Sequence, residues 1–142
     1  MELKHFAVFE LVDRATYDAE GDKALDRFNP KILEAIEGIR EFFAVPMIIN
    51  NWYLGGSFQW RGWRTPEKAA ELGAPNSEHA KGNAFDFDIQ GLTAQQVRDK
   101  IVANQDNPLL ANITRLEANT TWVHADCKEL VLPEKRIYLF HA

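Results

Sequence analysis

An α+β domain is the fold class the sequence predicts, and three stretches predict it. Across residues 30–43, apolar side chains recur at helical spacing: Ile32, Leu33, Ile36, Ile39, Phe42 and Phe43. Residues 84–89, Ala-Phe-Asp-Phe-Asp-Ile, alternate strictly, the period of a strand with one buried face. Residues 113–117 and 122–127 read as a hairpin. Helices mixed with short strands, taken as antiparallel, imply a small antiparallel sheet with packed helices. At 142 residues the chain fits one domain, 1–142, with room for a core.

Each element follows from its local chemistry. Residues 5–12 are short and apolar, a strand or one or two helical turns, and the polar residues 13–28 are expected to form a loop. Asn29-Pro30 starts the long helix with a capping residue and a proline at its first position, and Pro46 ends the run. Residues 47–50 read as a buried strand. Residues 51–64 mix Trp, Tyr and Phe with three glycines and no clear period, which suits a loop that covers something. Thr65-Pro66 opens a short helix that Gly73 stops. In 84–89, Phe85, Phe87 and Ile89 fall on the core face, and Asp86 and Asp88 on the other. Thr93 and Gln96 form a capping box for a helix holding Val97, Ile101 and Val102. Residues 136–140 read as a last strand.

Composition narrows the function classes. With 46% hydrophobic and 26% charged residues the chain is neither disordered nor fibrous. A net charge of −5 without a basic stripe argues against nucleic-acid binding. No apolar run approaches the ~20 residues of a membrane span. The first residues lack the basic-then-apolar pattern of a secretory leader, so synthesis in a cytosol is expected. The single Cys127 cannot form an internal disulfide, and its register places it in the core.

The chemistry concentrates in Ser77-Glu-His79-Ala-Lys-Gly82-Asn-Ala84-Phe-Asp86 and in Trp122-Val-His124. Gly82 lets the chain turn so that His79 and Asp86 can meet. On the last hairpin strand Trp122, His124 and Asp126 share one face, while Val123, Ala125 and Cys127 take the other. Two imidazoles and one carboxylate make a three-ligand zinc site with a position left open to water, the catalytic rather than the structural pattern. If Thr120-Thr121 form a two-residue hairpin loop, Glu117 lies opposite His124 on the same face. It is then a candidate general base, or a cross-strand partner for a Lys or Arg. Asp88 and Asp126 are alternative oxygen ligands, or partners that orient a ligand imidazole. Arg61 and Arg64 are candidates for holding a substrate carboxylate. Ser77 is placed to hydrogen-bond near the site or to end the preceding loop.

These residues carry a family resemblance. Ser77-x-His79-x-x-Gly82-x-Ala84-x-Asp86 resembles the signature of the zinc D-alanyl-D-alanine peptidases. That family includes D-Ala-D-Ala carboxypeptidases and phage L-alanyl-D-glutamate endolysins, on a fold shared with the hedgehog signalling domain. Trp122-Val-His124 is similar to its Trp-x-His strand, which supplies the third zinc ligand. The resemblance implies a zinc peptidase acting on a peptidoglycan stem peptide, with zinc on His79, Asp86 and His124. It also implies Arg64, in Arg64-Thr-Pro66, as the carboxylate-binding arginine. Ser77 is taken as a second substrate-binding residue, and Glu117 as the base, since other members place the acid on the preceding strand where Glu117 would be. Two features depart from the pattern: Thr121 stands where many members carry an acid, and Asn50-Asn51-Trp52 replaces a Ser-Gly-Tyr turn. The alternative is a non-catalytic zinc-binding domain of the same fold that binds a wall fragment or a protein partner. Synthesis without a leader suits a phage or prophage lysis protein that reaches the cell wall by phage-type release.

Overall fold

The computed structural model describes residues 2–131 and 136–141. Among these are four α-helices and a mixed sheet of five strands, the α+β class that the periodicities imply. The chain enters through a 3-10 turn at Val8–Glu10. Helix α1, Arg14–Glu20, and a 3-10 segment, Gly21–Arg27, follow where a loop was expected. The cause is Asp13: buried, it caps the helix by accepting from the Thr16 amide (3.0 Å) and hydroxyl (2.7 Å). Only Thr16 of α1 is buried, so the segment shows no apolar period.

Helix α2, Pro30–Phe43, is capped by Asn29 and buries Ile32, Leu33, Ile36 and Ile39. Strand β1 is only Met47–Ile48, and Ile48 is 46% exposed at the sheet edge, so 47–50 is not the buried strand expected. The loop beyond it contains a 3-10 turn at Trp52–Leu54. Helix α3 is Pro66–Glu71, capped by Thr65. Strand β2, Ala84–Ile89, buries Phe85, Phe87 and Ile89 in the core as its alternation requires. Helix α4, Ala94–Ala103, has the capping box of Thr93 and Gln96 and buries Val97 and Ile101. Strands β3, Arg115–Glu117, β4, Val123–Asp126, and β5, Tyr138–Phe140, complete the sheet.

The strand order is β1-β2-β4-β3-β5. All neighbours are antiparallel except β3 and β5, so the sheet is mixed and not purely antiparallel. Strand β5 lies on the far side of β3 from β4 and runs in the direction of β3. Helices α2 and α4 pack on the apolar face of β2 and β4, with Phe85, Phe87, Val123, Ala125 and Cys127 in one core with them. The opposite face of those strands carries Asp86, Asp88, His124 and Asp126, the face on which the chemistry gathers. None of the described helices is long and apolar enough to cross a membrane.

The hairpin keeps its expected register with a different loop. Arg115 faces Asp126 and Leu116 faces Ala125, so one further step sets Glu117 across from His124. The strands stop at Glu117 and Val123, so residues 118–122 form the loop instead of Thr120-Thr121 alone. Asn119 takes the left-handed conformation (φ 63°) that a two-residue Thr-Thr turn would demand of β-branched side chains. Buried Arg98 of α4 secures the loop by donating to the carbonyls of Thr120 (3.1 Å) and Trp122 (3.2 Å).

Candidate metal centre

His79, Asp86 and His124 are all buried and offer ligand atoms within 4.8 Å of one another, a group that could hold a metal ion. Each is placed by a different element. Asp86 projects from the middle of β2, and His124 sits directly across from it on β4. His79 comes from the irregular segment before β2. Its amide donates to the Ser77 hydroxyl (3.2 Å), and its carbonyl accepts from the amides of Gly82 and Arg64. Gly82 has φ +71° and presses against the Arg27 carbonyl, so a side chain there would be strained in both respects.

The outer nitrogen of each imidazole is tied down. His79 Nδ1 donates to the Gly62 carbonyl (2.9 Å), which can only accept, so in the neutral ring the lone pair sits on Nε2. His124 Nε2 donates to Asp126 Oδ2 (2.9 Å), which leaves Nδ1 as the inner atom. The two inner nitrogens converge on Asp86 Oδ1, His79 Nε2 at 3.2 Å and His124 Nδ1 at 2.9 Å. Three acceptor atoms aimed at one buried point repel one another unless a cation or a proton lies between them. Two nitrogens and a carboxylate oxygen, with hydrogen-bonded outer partners, fit the donor preferences of zinc.

The surrounding residues hold these partners in place. Arg115 grips Asp126 bidentately at 2.7–3.0 Å and lies over the Phe140 ring at 3.9 Å. Phe140 of β5 meets the His124 ring edge-on at 5.5 Å. Burial works against the Asp126 charge, but His124 and Arg115 outweigh it and hold the carboxyl below its usual range. Asp86 is likewise held down against burial, by the charges and hydrogen bonds of His79 and His124. Arg64 donates to Asp86 Oδ2 (3.2 Å) and to the Trp60 carbonyl (2.8 Å), and burial lowers its pKa although Asp86 and Glu117 favour its charge.

The remaining expected site residues are distributed around this set. Glu117 is half-buried, and its negative charge acts on both Arg64 and Arg115. The Ser77 hydroxyl supports the His79 turn. Arg61 pairs with Asp88 (2.9 Å), and Asp88 is not among the three residues of the ligand cluster. Asp126 orients His124 as one of the two roles open to it. Cys127 lies in the core, where burial pushes its thiol up to about 11. A cavity of about 420 Å³ opens beside Asp86, walled by Phe58, Trp60 and Trp122 with Arg61, Arg64 and Asp88 at its polar side. The aromatic loop therefore does cover a cleft. Sequence reasoning missed Gly62, Arg115, Phe140 and Asn50. Asn50 is buried and takes the Arg61 amide (3.0 Å) while donating to the Val12 carbonyl (3.2 Å), which pins the loop. Only Arg115 left a signal, as a cationic cross-strand neighbour of Asp126.

With a metal held by this group, the Asp126–His124 hydrogen bond would make its affinity depend on a residue outside the three. Asp126→Asn removes the anionic partner of His124 and should weaken zinc affinity roughly 10- to 100-fold. Competition against a fluorescent chelator reads this, and an unchanged affinity would make Asp126 a fold residue alone. The same bond governs the response to pH. In the metal-free protein burial would lower the His124 pKa, but the hydrogen bonds to Asp126 and Asp86 prevail and push it from 6.5 up to about 9. A raised pKa stabilises the folded state fully below the unfolded value and less and less as pH climbs toward the folded one. Chelator-treated protein should therefore lose stability on the order of a few kcal/mol between pH 6.5 and 9. Urea unfolding across that window checks the slope, and a flat profile would contradict a charged His124.

Comparison with known proteins gives no matching family model, no matching curated protein and no matching solved structure.

Proposed function

We propose that the protein is a zinc-dependent peptidase hydrolysing an amide bond in peptidoglycan stem peptides, on a domain of the hedgehog/D-Ala-D-Ala peptidase type. The observation that carries this reading is the convergence of His79 Nε2 and His124 Nδ1 on Asp86 Oδ1, with both outer nitrogens already committed. The resemblance of residues 77–86 and 122–124 to that family's signature supports it. His79, Asp86 and His124 would hold zinc, which supplies Lewis acidity and lowers the pKa of water at the site to about 7. Glu117, one register step along β3 from Leu116, accepts the proton of the attacking water and returns it to the leaving amine. Arg64 stabilises Asp86 and turns its remaining donors toward a substrate carboxylate in the cleft. Ser77 keeps His79 in place and lies beside the bound peptide. The protein would act at the cell wall after phage-type release.

Purified protein incubated with peptidoglycan should release new amino and carboxyl ends, identified by mass spectrometry, and a chelator should abolish the release. Thr121 lines the cleft where many members of that family carry an acid, which favours a second reading. In that reading the domain binds zinc and holds a wall fragment or a protein partner without cutting it. Bound zinc with no released ends on any wall substrate would select it.

A further inference from the structure

The cleft beside Asp86 carries two arginine–aspartate pairs that differ in exposure. Arg64 and Asp86 are both largely covered, at 17% and 8% of their side chains. In the second pair Arg61 is 12% exposed while Asp88 is 47% exposed. Arg61 lies under the Phe58 ring, 4.1 Å from its centroid, and reaches Asp88 through Oδ2. The charge that this pair presents to solvent is therefore the carboxylate and not the guanidinium.

Asp88 also occupies a dividing position. It lines the aromatic-walled cleft and a second hollow of about 450 Å³ formed with Leu92, Thr93, Val97 and Val123. Thr121 lines both as well, so the two hollows adjoin along Asp88 and Thr121. Asp86 and Asp88 share one face of β2, which spaces them about 7 Å apart, the length of roughly two extended residues. A peptide bound at Asp86 and continuing into the second hollow passes over Asp88 with Trp122, 37% exposed, on the cleft side.

We propose that Asp88 is the recognition point for a primary ammonium group on the bound peptide, with the stem of that residue lying against the aromatic wall. The rings of Phe58 and Trp60 already face Arg61 and Lys68, so the aromatic partner for a ligand cation is Trp122. A half-exposed carboxylate near it favours an ammonium on an apolar stem, by a charged hydrogen bond and by ring–cation attraction. The same surface disfavours a second carboxylate. Substrates or ligands with a free amine within one or two residues of the bond held at Asp86 are selected over their neutral counterparts. This rests on reading the neighbouring centre as a peptide site, and it distinguishes peptides by charge, which the zinc ligands do not.

The test uses zinc-loaded full-length protein and three forms of L-alanyl-D-glutamyl-L-lysine. One is acetylated at the N-terminus only, one at the lysine amine only, and one at both. Binding is measured by calorimetry and hydrolysis in parallel. At least one mono-acetylated form should bind about tenfold or more tighter than the doubly acetylated one. Asp88→Asn should erase that difference, and Asp99→Asn, which removes the same charge from an exposed site on α4, should keep it. The form that keeps the preference identifies the amine as terminal or side-chain. Equal binding of all three forms, no binding of any, or a preference that survives Asp88→Asn overturns the proposal. Amine preference without hydrolysis would sink the peptidase reading and leave the subsite standing. Hydrolysis without amine preference would do the reverse.

Discussion

Protein loaded with zinc and dialysed should retain about one metal ion per chain, and His79→Ala or His124→Ala should retain essentially none. Either change leaves two protein ligands, and two ligands hold zinc poorly because binding must still displace protons and order the site. His124→Ala carries a further cost. Asp126 Oδ2 takes a hydrogen bond from that ring, so its removal deprives a fully buried carboxylate of one of its donors. Arg115 still grips both oxygens of Asp126, so the expected loss of stability is that of one hydrogen bond to a charged group, roughly 1.5–3 kcal/mol. His79→Gln and His124→Gln keep most of the volume and some hydrogen bonding, so they separate loss of metal from loss of fold. Elemental analysis beside circular dichroism reads the outcome. A folded wild type without a transition metal, or folded variants with undiminished zinc, would rule out the metal centre.

Glu117→Gln is the substitution expected to separate catalysis from binding most sharply. The amide keeps the size of the side chain and cannot accept a proton, so turnover should fall by a factor on the order of 10²–10⁴. Zinc content and melting temperature should hold, since Glu117 is outside the ligand group. Its charge also supports Arg64 and Arg115, so a modest change in substrate affinity is expected alongside. Near-normal hydrolysis by the variant would exclude Glu117 as the base.

The parts of the site that were legible in the sequence are those set by local alternation. Asp86 and His124 each sit between core residues on a strand, so period two alone sends them to the same face of adjacent strands. Glu117 was legible by register, which survived although the loop joining the strands did not match. What escaped depends on contacts between distant segments. The Gly62 carbonyl under His79, Asn50 under Arg61 and Phe140 against His124 leave no pattern in their own neighbourhoods. The parallel β3–β5 pairing escaped for a related reason: a three-residue strand carries no mark of the direction of its partner. Helix α1 escaped because a seven-residue helix that buries only Thr16 has no apolar face to read.

Gly62 has a consequence for the order in which the molecule assembles. Its backbone packs so closely on the Leu11 carbonyl that any side chain would collide there, and the Trp63 amide donates to that same carbonyl (3.0 Å). The acceptor that orients His79 is thus set by contact with the first dozen residues. His79 and Asp86 are seven positions apart, whereas His124 lies 38 positions beyond Asp86. Closing these loops costs entropy that rises only slowly with length, so what sets the His79 ring is the contact of Gly62 with Leu11 more than the span of either loop. A nascent or refolding chain would therefore capture zinc weakly at first and tightly only once the amino-terminal segment has docked. The rate of tight zinc uptake then reports the final step of folding, and Gly62→Ala should slow that uptake while leaving the weak early phase unchanged.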